Sequence, residues 1–211
     1  MKKHIPTATT KRLPLYHEYV SRMESEGSKW VSSFMIANAL GLTPSTIRQD
    51  LKHLDAIESS SFGYSTKSLK KVLENALGVT TGANMGLVGV GRLGQAIVHY
   101  RKFKEKGFVI KALFDVKEAL IGKRICNIPI YPLGRLPEIV KKKRISIGIV
   151  TTPVESAQYV TDLLVDANIK GIWNFAPINL RVPPNVAIEN VNLCPSLFLL
   201  AFRIKLLEEL L

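Results

Sequence analysis

Apolar residues recur at helical spacing three times within the first 55 positions of the chain. Each run begins near a residue that favours a helix start, and the pattern changes where the run ends. The apolar positions are Leu15, Tyr19, Val20 and Met23 in a first run from Lys11 to Gly27, then Met35, Ile36 and Leu40, then Ile47, Leu51 and Leu54. This pattern predicts three short helices that turn these side chains inward.

A tight turn is expected between the second and third helices. Ser32 or Ser33 can cap the second helix, and Gly41 follows its last apolar residue. Thr43 can cap the third helix, with Pro44 at the first helical position, where its missing N–H costs nothing. Two short helices joined in this way are typical of a helix-turn-helix.

The outer face of the third helix is polar and has no carboxylate near its start. Arg48 and Gln49 are candidates for base contacts, because their side chains can bond bidentately to guanine and adenine in the major groove. Ser45, Thr46 and Lys52 are candidates for phosphate contacts, which position a helix without reading sequence. The alternative is that this face is merely the solvated side of a small helical bundle.

The stretch DAIESSSFGYS, from Asp55, predicts a hairpin or loop before a fourth helix in STKSLKKVLENALG. A hairpin here is the expected position of the wing of a winged helix, and Tyr64 is a further candidate for DNA contact. The wing is poor in positive charge, since Asp55 and Glu58 are acidic and no Lys or Arg occurs between Lys52 and Lys67.

A different pattern starts near residue 85, where a continuous apolar run is followed by glycines in G-x-G-x-x-G register. The run predicts a strand buried on both faces of a parallel sheet, and a helix is expected from Arg92 through Tyr100. A second strand, FVIKALFD, ends at Asp115, which is 21 residues beyond Gly94. The candidate site comprises Gly89, Val90, Gly91, Arg92, Leu93 and Gly94, with Asp115 and Val116.

Each part of this pattern suits a bound dinucleotide. Gly89 allows the tight turn, Gly91 lets the backbone approach a pyrophosphate, and Gly94 lets the helix lie close to the strand. A carboxylate about 20 residues further on accepts hydrogen bonds from ribose hydroxyls. Asp115 also repels a 2′-phosphate, so NAD and NADH are favoured over NADP, although Lys117 lies nearby.

Further β and α units follow in IPIYP, ISIGIV and GIWNF and in the segments between them. Loops after parallel strands lie at the carboxyl edge of the sheet, where ligands bind. Thr151, Thr152, Pro153 and Phe175 are therefore expected near the ribose or nicotinamide. The lysine run that ends at Arg144 is interpreted as a solvated helix end.

Composition adds limits to this picture. The formal net charge is +12, of which residues 1–80 carry +4 and residues 81–211 carry +8, so charge alone does not place a nucleic-acid site in the front segment. Cys126 and Cys194 are expected to be packing thiols, and no metal-ligand cluster is predicted. With no apolar run long enough for a membrane span and no signal-peptide core, a cytoplasmic protein without membrane contact is expected.

No residue pattern indicates catalysis. A dehydrogenase needs a group that exchanges a proton with its substrate, yet no histidine follows His99, and Leu163 stands where a Tyr-x-x-x-Lys arrangement at Tyr159 needs lysine. We therefore expect no enzymatic activity and no catalytic residue. The final stretch, SLFLLAFRIKLLEELL, predicts a broadly apolar helix that docks to a second subunit.

The chain resembles the Rex family of bacterial redox-sensing transcriptional repressors. The resemblance rests on ATTKRLPLY, STIRQDL, FGYS, GRLGQAI, FKEKGF, FDV, IGKRI, IPIYPL, KGIWNFAP and ENVNL, and it extends over nearly the whole chain. It implies an α/β homodimer that binds double-stranded operator DNA and releases it when NADH binds. The expected domains are a winged helix-turn-helix (1–80), a Rossmann-type doubly wound parallel sheet (81–194) and a C-terminal helix swapped between the two chains (195–211).

The resemblance also carries residue roles. It places residues 89–94 and Asp115 in the NAD site, Ser45, Arg48 and Asp50 in the recognition helix, and Tyr100 near the nicotinamide. Departures occur at Gln49 and at the wing residues 59–61, where the family usually carries basic residues. The departing positions are Glu18, Gln49, Ser59, Ser60, Ser61 and Asn192, of which Glu18 and Asn192 match an arginine and an aspartate of the family's switch.

These departures predict a divergent Rex-like paralogue, and they leave alternatives open. An NAD(H)-binding relative with lost or altered DNA binding is one, and a small NAD-dependent oxidoreductase is another.

Overall fold

A computed structural model describes residues 5–192 and 194–209 of the chain. Contacts between Cα atoms divide the chain into an N-terminal unit, Met1–Thr81, and a C-terminal unit, Gly82–Leu211.

In its described part, residues 5–81, the N-terminal unit consists of four helices and a small antiparallel sheet. The sheet has the order β1-β3-β2, and a short 3-10 turn at Val79–Thr81 follows the last helix. The elements are α1 (Thr7–Ser25), β1 (Trp30–Val31), α2 (Ser33–Leu40), α3 (Pro44–Leu51), β2 (Ser59–Ser60), β3 (Gly63–Ser65) and α4 (Thr66–Leu77). This is a winged helix, with β2 and β3 as the wing, and it confirms the predicted fold of the front segment.

The predicted caps of α2 and α3 are confirmed. The hydroxyl of Ser32 accepts a hydrogen bond from the N–H of Met35, and Gly41 adopts the left-handed conformation just past the end of α2. The Thr43 hydroxyl accepts from the N–H of Thr46 at the start of α3. These bonds satisfy amide groups that have no partner inside the helix, which is why the sequence signals were sufficient here.

Two inward positions were predicted wrongly, and the first helix begins earlier than expected. Leu15 and Met35 are exposed, and α1 starts at Thr7 and not at Lys11. The buried face of α1 is set by Leu13, Tyr16 and Val20 in the helical period, so that Leu15 falls on the opposite side. In α2 the core contacts are made instead by residues 36 and 37.

A buried carboxylate ties α3 to α1. Asp50, only 3% exposed, accepts hydrogen bonds from the Thr9 hydroxyl at 2.7 Å, the Tyr16 hydroxyl at 2.5 Å, and Arg12 Nε and Nη2 at 2.7 and 2.8 Å. The resemblance placed Asp50 in the recognition helix. It does lie in α3, but its side chain is turned inward and holds the helix in place.

The C-terminal unit is a seven-stranded sheet with helices on both faces. Its elements are β4 (Ala83–Val88), α5 (Arg92–His99), α6 (Lys102–Glu105), β5 (Phe108–Asp115), β6 (Arg124–Ile125), β7 (Ile128–Pro132), α7 (Leu136–Lys142), β8 (Ile147–Val150), α8 (Val154–Asp166), β9 (Gly171–Asn174), β10 (Ala187–Asn190) and α9 (Cys194–Glu208). The strand order is β10-β9-β8-β4-β5-β7-β6, with β6 antiparallel and all other pairs parallel. The predicted doubly wound sheet is confirmed, while β10 had not been predicted.

Parallel strands give this unit two distinct edges, which we call the amino edge and the carboxyl edge. Side chains from α7 and α8 fill the core on one face of the sheet, and side chains from α5 contribute to a second cluster that includes β4 and β5. The glycine turn after β4 and the loop after β8 meet at the carboxyl edge. The described side chains of α9 are all exposed on this chain.

The expectation that both cysteines are packing thiols is wrong, because Cys126 and Cys194 are exposed. Cys126 lies with Asn127 in the two-residue turn between β6 and β7, and both residues have positive φ angles, 48° and 64°. Tight hairpin turns need such angles and lie at the surface. Cys194 is the first residue of α9.

Replacing Asp50 by asparagine is expected to destabilise the N-terminal unit by about 3 kcal/mol, because Arg12 is left without its counter-charge in a largely buried network. The chain has two tryptophans, so a Trp173→Phe background leaves Trp30 as the reporter of urea unfolding in this unit. Asp55→Asn, at an exposed carboxylate, is the control. Equal unfolding midpoints for the two variants contradict the proposed role of Asp50.

The same network predicts a pH dependence. Burial alone raises the pKa of Asp50, but hydrogen bonds from Arg12, Tyr16 and Thr9 outweigh it and lower the pKa from 3.8 to about 2. Since the folded state holds the carboxylate ionised more strongly than the unfolded chain, the stabilisation is complete above about pH 4 and is lost as the pH falls towards 2. The gap between the wild-type and Asp50→Asn urea midpoints should close over that range.

Candidate functional site

A cavity of about 630 Å³ opens at the carboxyl edge, between the glycine turn after β4 and the loops after β5, β8 and β9. Most residues of the predicted site line it, namely Gly89, Gly91, Leu93, Asp115, Val116, Thr151, Thr152, Pro153 and Phe175. Val90, Arg92, Gly94 and Tyr100 are not among its lining residues. Lys117, Leu133, Ser156 and Tyr159 line it although they were not predicted as site residues.

The glycine turn is held rigidly against the loop after β8. Gly89 has a φ of 96°, and a Cβ atom there would lie 2.9 Å from the backbone of Thr151. The Thr151 hydroxyl approaches the Gly89 carbonyl oxygen at 2.7 Å and that of Val88 at 3.0 Å. A Cβ at Gly94 would come 2.2 Å from the same Gly89 oxygen, so α5 starts directly against the turn.

Space is open in front of the first turn of α5. A Cβ atom at Gly91 would meet no atom within 4 Å, and Gly91 faces the cavity. No side chain in the described part of the chain caps α5, and no acidic residue lies in its first turn. The free N–H groups and positive end of the helix therefore favour an anionic group at this position.

The Asp115 carboxylate is fixed by the backbone around it. One oxygen accepts the N–H of Val90 at 2.7 Å, and the other accepts the N–H of Lys117 at 2.9 Å. Each oxygen has a second lone pair, so the carboxylate can still accept hydroxyl hydrogens at the cavity wall. The residue is largely buried, and its charge is presented in one fixed orientation.

One polar atom of the cavity wall lacks a partner among the described residues. The Thr152 hydroxyl oxygen is buried and makes no hydrogen bond there. A buried hydroxyl without a partner is costly, and a polar ligand atom would satisfy it. Together with the open space at Gly91 and the oriented Asp115 carboxylate, this atom shows that the residues present fit a dinucleotide.

Four aromatic rings connect the cavity to the protein surface. Phe175 lines the cavity and lies 4.7 Å from Trp173, centroid to centroid, and Trp173 lies 5.3 Å from Phe103. Phe103 in turn lies 4.7 Å from Tyr100, which is half exposed. The structure thus places Tyr100 outside the cavity wall but joined to it through this row of rings.

The predicted DNA-facing residues of α3 share one surface of the N-terminal unit. Ser45, Arg48, Gln49 and Lys52 are exposed. Thr46 is half-buried, and its hydroxyl is bonded to that of Thr43 at 2.8 Å. Arg48 Nη1 donates to the hydroxyl of Ser33 in α2 at 3.2 Å, which orients the guanidinium beside the start of α2.

The wing presents hydroxyls and one aromatic ring. Residues 59–61 are exposed serines, and the Ser60 hydroxyl accepts the N–H of Phe62, which is 74% exposed at the tip. Tyr64 was predicted to face DNA, but it is half-buried and packs against the core of the unit. Phe62 was not predicted as a DNA-facing residue. The sequence signal that could have indicated it is a lone aromatic residue beside the turn glycine of a polar hairpin.

The two positions matched to the family's switch have simple surroundings. Glu18 is exposed on α1. The side-chain oxygen of Asn192 accepts the N–H of Cys194 at 3.1 Å, so Asn192 caps the start of α9.

Comparisons with known proteins agree with both units. Residues 4–52 match the family model described as "Putative DNA-binding protein N-terminus", and residues 80–178 match "CoA binding domain". The redox-sensing transcriptional repressor Rex of Clostridium acetobutylicum is 38% identical over 95% of this chain and 94% of its own length. Rex of Clostridium botulinum is 40% identical over 94% of this chain and 95% of its own length.

The chain belongs to the Rex family. Among solved structures, RSP, a Rex-family repressor, superposes with a TM-score of 0.91 at 36% identity and covers 99% of both chains. RSP has also been solved in complex with β-NAD⁺ and operator DNA and in complex with β-NADH, with TM-scores of 0.89. The resemblance stated from the sequence is confirmed.

The Rex relatives are named as transcriptional repressors, which makes this family one of regulators. Within residues 5–192 and 194–209, no group of three or more His, Cys, Asp or Glu side chains is arranged to hold a metal ion. No helix in this described part of the chain is long and apolar enough to cross a membrane.

Two glycine substitutions should separate folding from ligand binding. Gly91→Val is expected to leave the thermal unfolding of the chain nearly unchanged and to abolish NADH binding, because its side chain enters open space where a pyrophosphate would lie. Gly94→Ala is expected to destabilise the C-terminal unit, since its methyl group meets a backbone oxygen. Calorimetric titration with NADH and thermal unfolding check both, and full NADH affinity in folded Gly91→Val contradicts this placement of the site.

Proposed function

We propose that this chain is a redox-sensing transcriptional repressor, which binds operator DNA through its N-terminal unit and releases it when NADH occupies the cavity of the C-terminal unit. The observation that carries the proposal is the open, anion-favouring cradle at Gly91 in a chain of the Rex family. The solved complexes of RSP with β-NAD⁺ and operator DNA and with β-NADH support it by similarity.

We assign the nucleotide to the cavity because the groups on its wall match the pyrophosphate and the ribose hydroxyls. The pyrophosphate lies over Gly91 and the first turn of α5, where N–H groups are free. The Asp115 carboxylate accepts the ribose hydroxyls and repels a 2′-phosphate, so NAD and NADH are preferred to NADP. Thr151, Thr152, Pro153 and Phe175 then line the part of the cavity that takes the nicotinamide end.

Discrimination between the two redox states depends on the nicotinamide, because NAD⁺ carries a positive charge on that ring and NADH does not. Phe175 and Tyr159 are the aromatic residues among those that line the cavity, and the contacts of Phe175 lead through Trp173 and Phe103 to Tyr100. A change in the position of Phe175 is therefore transmitted by packed rings. A difference of about 1.4 kcal/mol between the two nucleotides gives a tenfold difference in affinity.

Operator recognition is assigned to α3. Arg48 and Gln49 are exposed, and Arg48 is pre-oriented by Ser33, which lowers the entropy lost when it meets a base. Ser45, Thr46 and Lys52 contact phosphates. The buried Asp50 network keeps this face aligned without contacting DNA itself.

We assign to α9 the interface with a second copy of the chain. This 15-residue helix carries large apolar side chains that are exposed along its whole length, among them Leu197, Phe198, Leu200, Phe202 and Leu207. An apolar surface of this extent is unfavourable in water and typical of an interface. A homodimer formed through α9 also presents two recognition helices, as a two-fold symmetric operator requires.

The proposal includes no catalytic step. Among the described residues that line the cavity, the titratable side chains are Asp115, Lys117 and Tyr159. Both oxygens of Asp115 already accept backbone N–H groups, and Tyr159 has no lysine four residues on. A Rex relative with altered DNA binding remains the second candidate, because the wing carries serines in place of basic residues.

Operator binding is expected to weaken at least tenfold when NADH replaces NAD⁺. Genomic fragments selected with NAD⁺ are titrated by fluorescence anisotropy with each nucleotide, and the stoichiometry should be two chains for each operator. By linkage, operator DNA must lower the affinity for NADH relative to that for NAD⁺ by the same factor. Gly91→Val is the control, whose DNA affinity should not respond to NADH, and NADH should not be consumed. If wild-type chain binds every fragment equally with both nucleotides, it is not a redox sensor.

Two substitutions on α3 should have different effects. Arg48→Ala is expected to relax base preference at one position of each half-site, at a cost of about 1–3 kcal/mol on the selected operator. Lys52→Ala is expected to weaken binding to all DNA sequences alike and to reduce the slope of log K against log[salt] by about 1. Binding-site selection and salt titrations measure both effects, and an unchanged site preference in Arg48→Ala counts against direct readout by that residue.

A further inference from the structure

A buried asparagine, Asn174, lies between the nucleotide cavity and the segment that leads into α9. It is the last residue of β9, and 0% of its surface is exposed. The residues directly after it, Phe175, Ala176 and Pro177, line the cavity. An amide side chain has two N–H hydrogens to donate and one oxygen that accepts, and burial makes each of these groups costly to leave without a partner.

The Asn174 side chain fixes the course of the loop that forms this part of the cavity wall. Its Oδ1 atom accepts the N–H of Ala176 at 2.9 Å. Its Nδ2 atom donates to the carbonyl oxygen of Ala176 at 3.1 Å and to that of Ile178 at 2.8 Å. Both ends of the amide thus bind the loop, and residues 175–178 follow the course that these bonds set.

The same residue also binds the segment that leads into α9. The Nδ2 atom donates to Oδ1 of Asn190, the last residue of β10, at 2.9 Å. The main-chain oxygen of Asn174 accepts the N–H of Val191 at 2.8 Å. Asn192 follows and caps α9 by accepting the N–H of Cys194 at 3.1 Å. The cavity wall and the start of α9 are therefore joined through one residue.

The bonds of Nδ2 compete with one another. This atom carries two hydrogens, yet three oxygens accept from it, two in the loop after β9 and one on Asn190. A shift that brings the loop oxygens closer weakens the bond to Asn190, and a shift away strengthens it. Packing between the segments is incomplete, because a cavity of about 130 Å³ lies between residues 176–179 and residues 190–192. The hydrogen bonds of Asn174 therefore carry a large part of the contact.

We propose that Asn174 is a positioning residue that couples the cavity wall at Phe175 to the start of α9. A nucleotide that shifts Phe175 changes how the Nδ2 hydrogens are shared, and the position of residues 190–192 changes with them. Dimerisation through α9 then depends on which nucleotide is bound, and the dimer in turn changes nucleotide affinity by the same factor. This inference rests on the proposed function, which places the nicotinamide end at this wall and the dimer interface on α9.

Substitutions at Asn190, whose side chain is exposed, test the coupling with little risk to folding. N190A removes the oxygen that accepts from Nδ2, and N190D keeps an oxygen in the same place as the matched control. The dimer dissociation constant is measured by analytical ultracentrifugation with NAD⁺ and with NADH, and the unfolding temperature of each variant is recorded. A merely structural role of the bond would lower the unfolding temperature and leave the ratio of the two dissociation constants unchanged.

The wild-type dissociation constants are expected to differ by about tenfold between the two nucleotides. In N190A this ratio should shrink by about fivefold, as the loss of one neutral hydrogen bond predicts. N190D should keep the wild-type ratio. N174A, which removes the bonds to both segments, should bring the ratio close to one wherever the variant remains folded.

A wild-type ratio in N190A overturns the coupling, whatever its unfolding temperature. An equal loss in N190A and N190D also overturns it, since the oxygen at this position is then not what matters. If wild-type dimerisation is the same with both nucleotides while NADH still releases operator DNA, the coupling fails and the proposed repressor function stands. A wild-type chain that binds no NADH removes the proposed function and the coupling together.

Discussion

Helix α5 begins so close to the turn before it that a methyl group at residue 94 would lie 2.2 Å from the carbonyl oxygen of Gly89. This approach positions the free N–H groups of α5 beside the carboxyl ends of β4 and β8, and the Thr151 hydroxyl braces the same carbonyl from the other side. The Asp115 carboxylate is then held by the N–H of Val90 within the turn. A cavity suited to an anionic, hydroxyl-bearing ligand follows from this one contact between backbones.

The two units each use a buried carboxylate as an internal anchor. Asp50 joins α3 to α1 through Arg12, Tyr16 and Thr9, and Asp115 joins the second strand of the sheet to the glycine turn. In both cases the charge is compensated by several donors, which a carboxylate needs when it leaves water. Fixed surfaces result on each unit, one that presents Arg48 outward and one that presents Gly91 to the cavity.

Charge is distributed unevenly over the same framework. The wing carries hydroxyls and an exposed ring, at positions where basic residues are usual in the Rex family. In the C-terminal unit, lysines lie just before the starts of several strands. Since phosphate contacts require charge but not a particular fold, they can be supplied from a different part of a chain. Arg48 and Lys52 are basic and exposed on α3, so the departures at residues 59–61 do not remove all positive charge from the surface proposed to face DNA.

Much of this protein was determined by its sequence alone, because the signals concerned are local. Helical periodicity, Ser32 and Thr43 as caps, and the apolar strand before Gly89 each depend on neighbours within a few residues, and all appear in the structure. The spacing from Gly94 to Asp115 also assigned the carboxylate to the same candidate site as the glycine turn, and the structure shows it hydrogen-bonded to the N–H of Val90 in that turn. The full-length resemblance to Rex was readable from short motifs for the same reason.

Tertiary structure decided what depends on residues far apart in the chain. Periodicity could not show that Asp50 faces inward, since its partners Arg12 and Tyr16 lie more than 30 positions away. The exposure of Leu15 and Cys126 has no sequence signature, and neither has the Thr152 hydroxyl, which lacks a hydrogen-bond partner among the described residues. The bond from the Thr151 hydroxyl to the Gly89 carbonyl oxygen likewise depends on the tertiary fold, because only the parallel pairing of β4 with β8 brings these two residues, 62 positions apart, to one edge of the sheet.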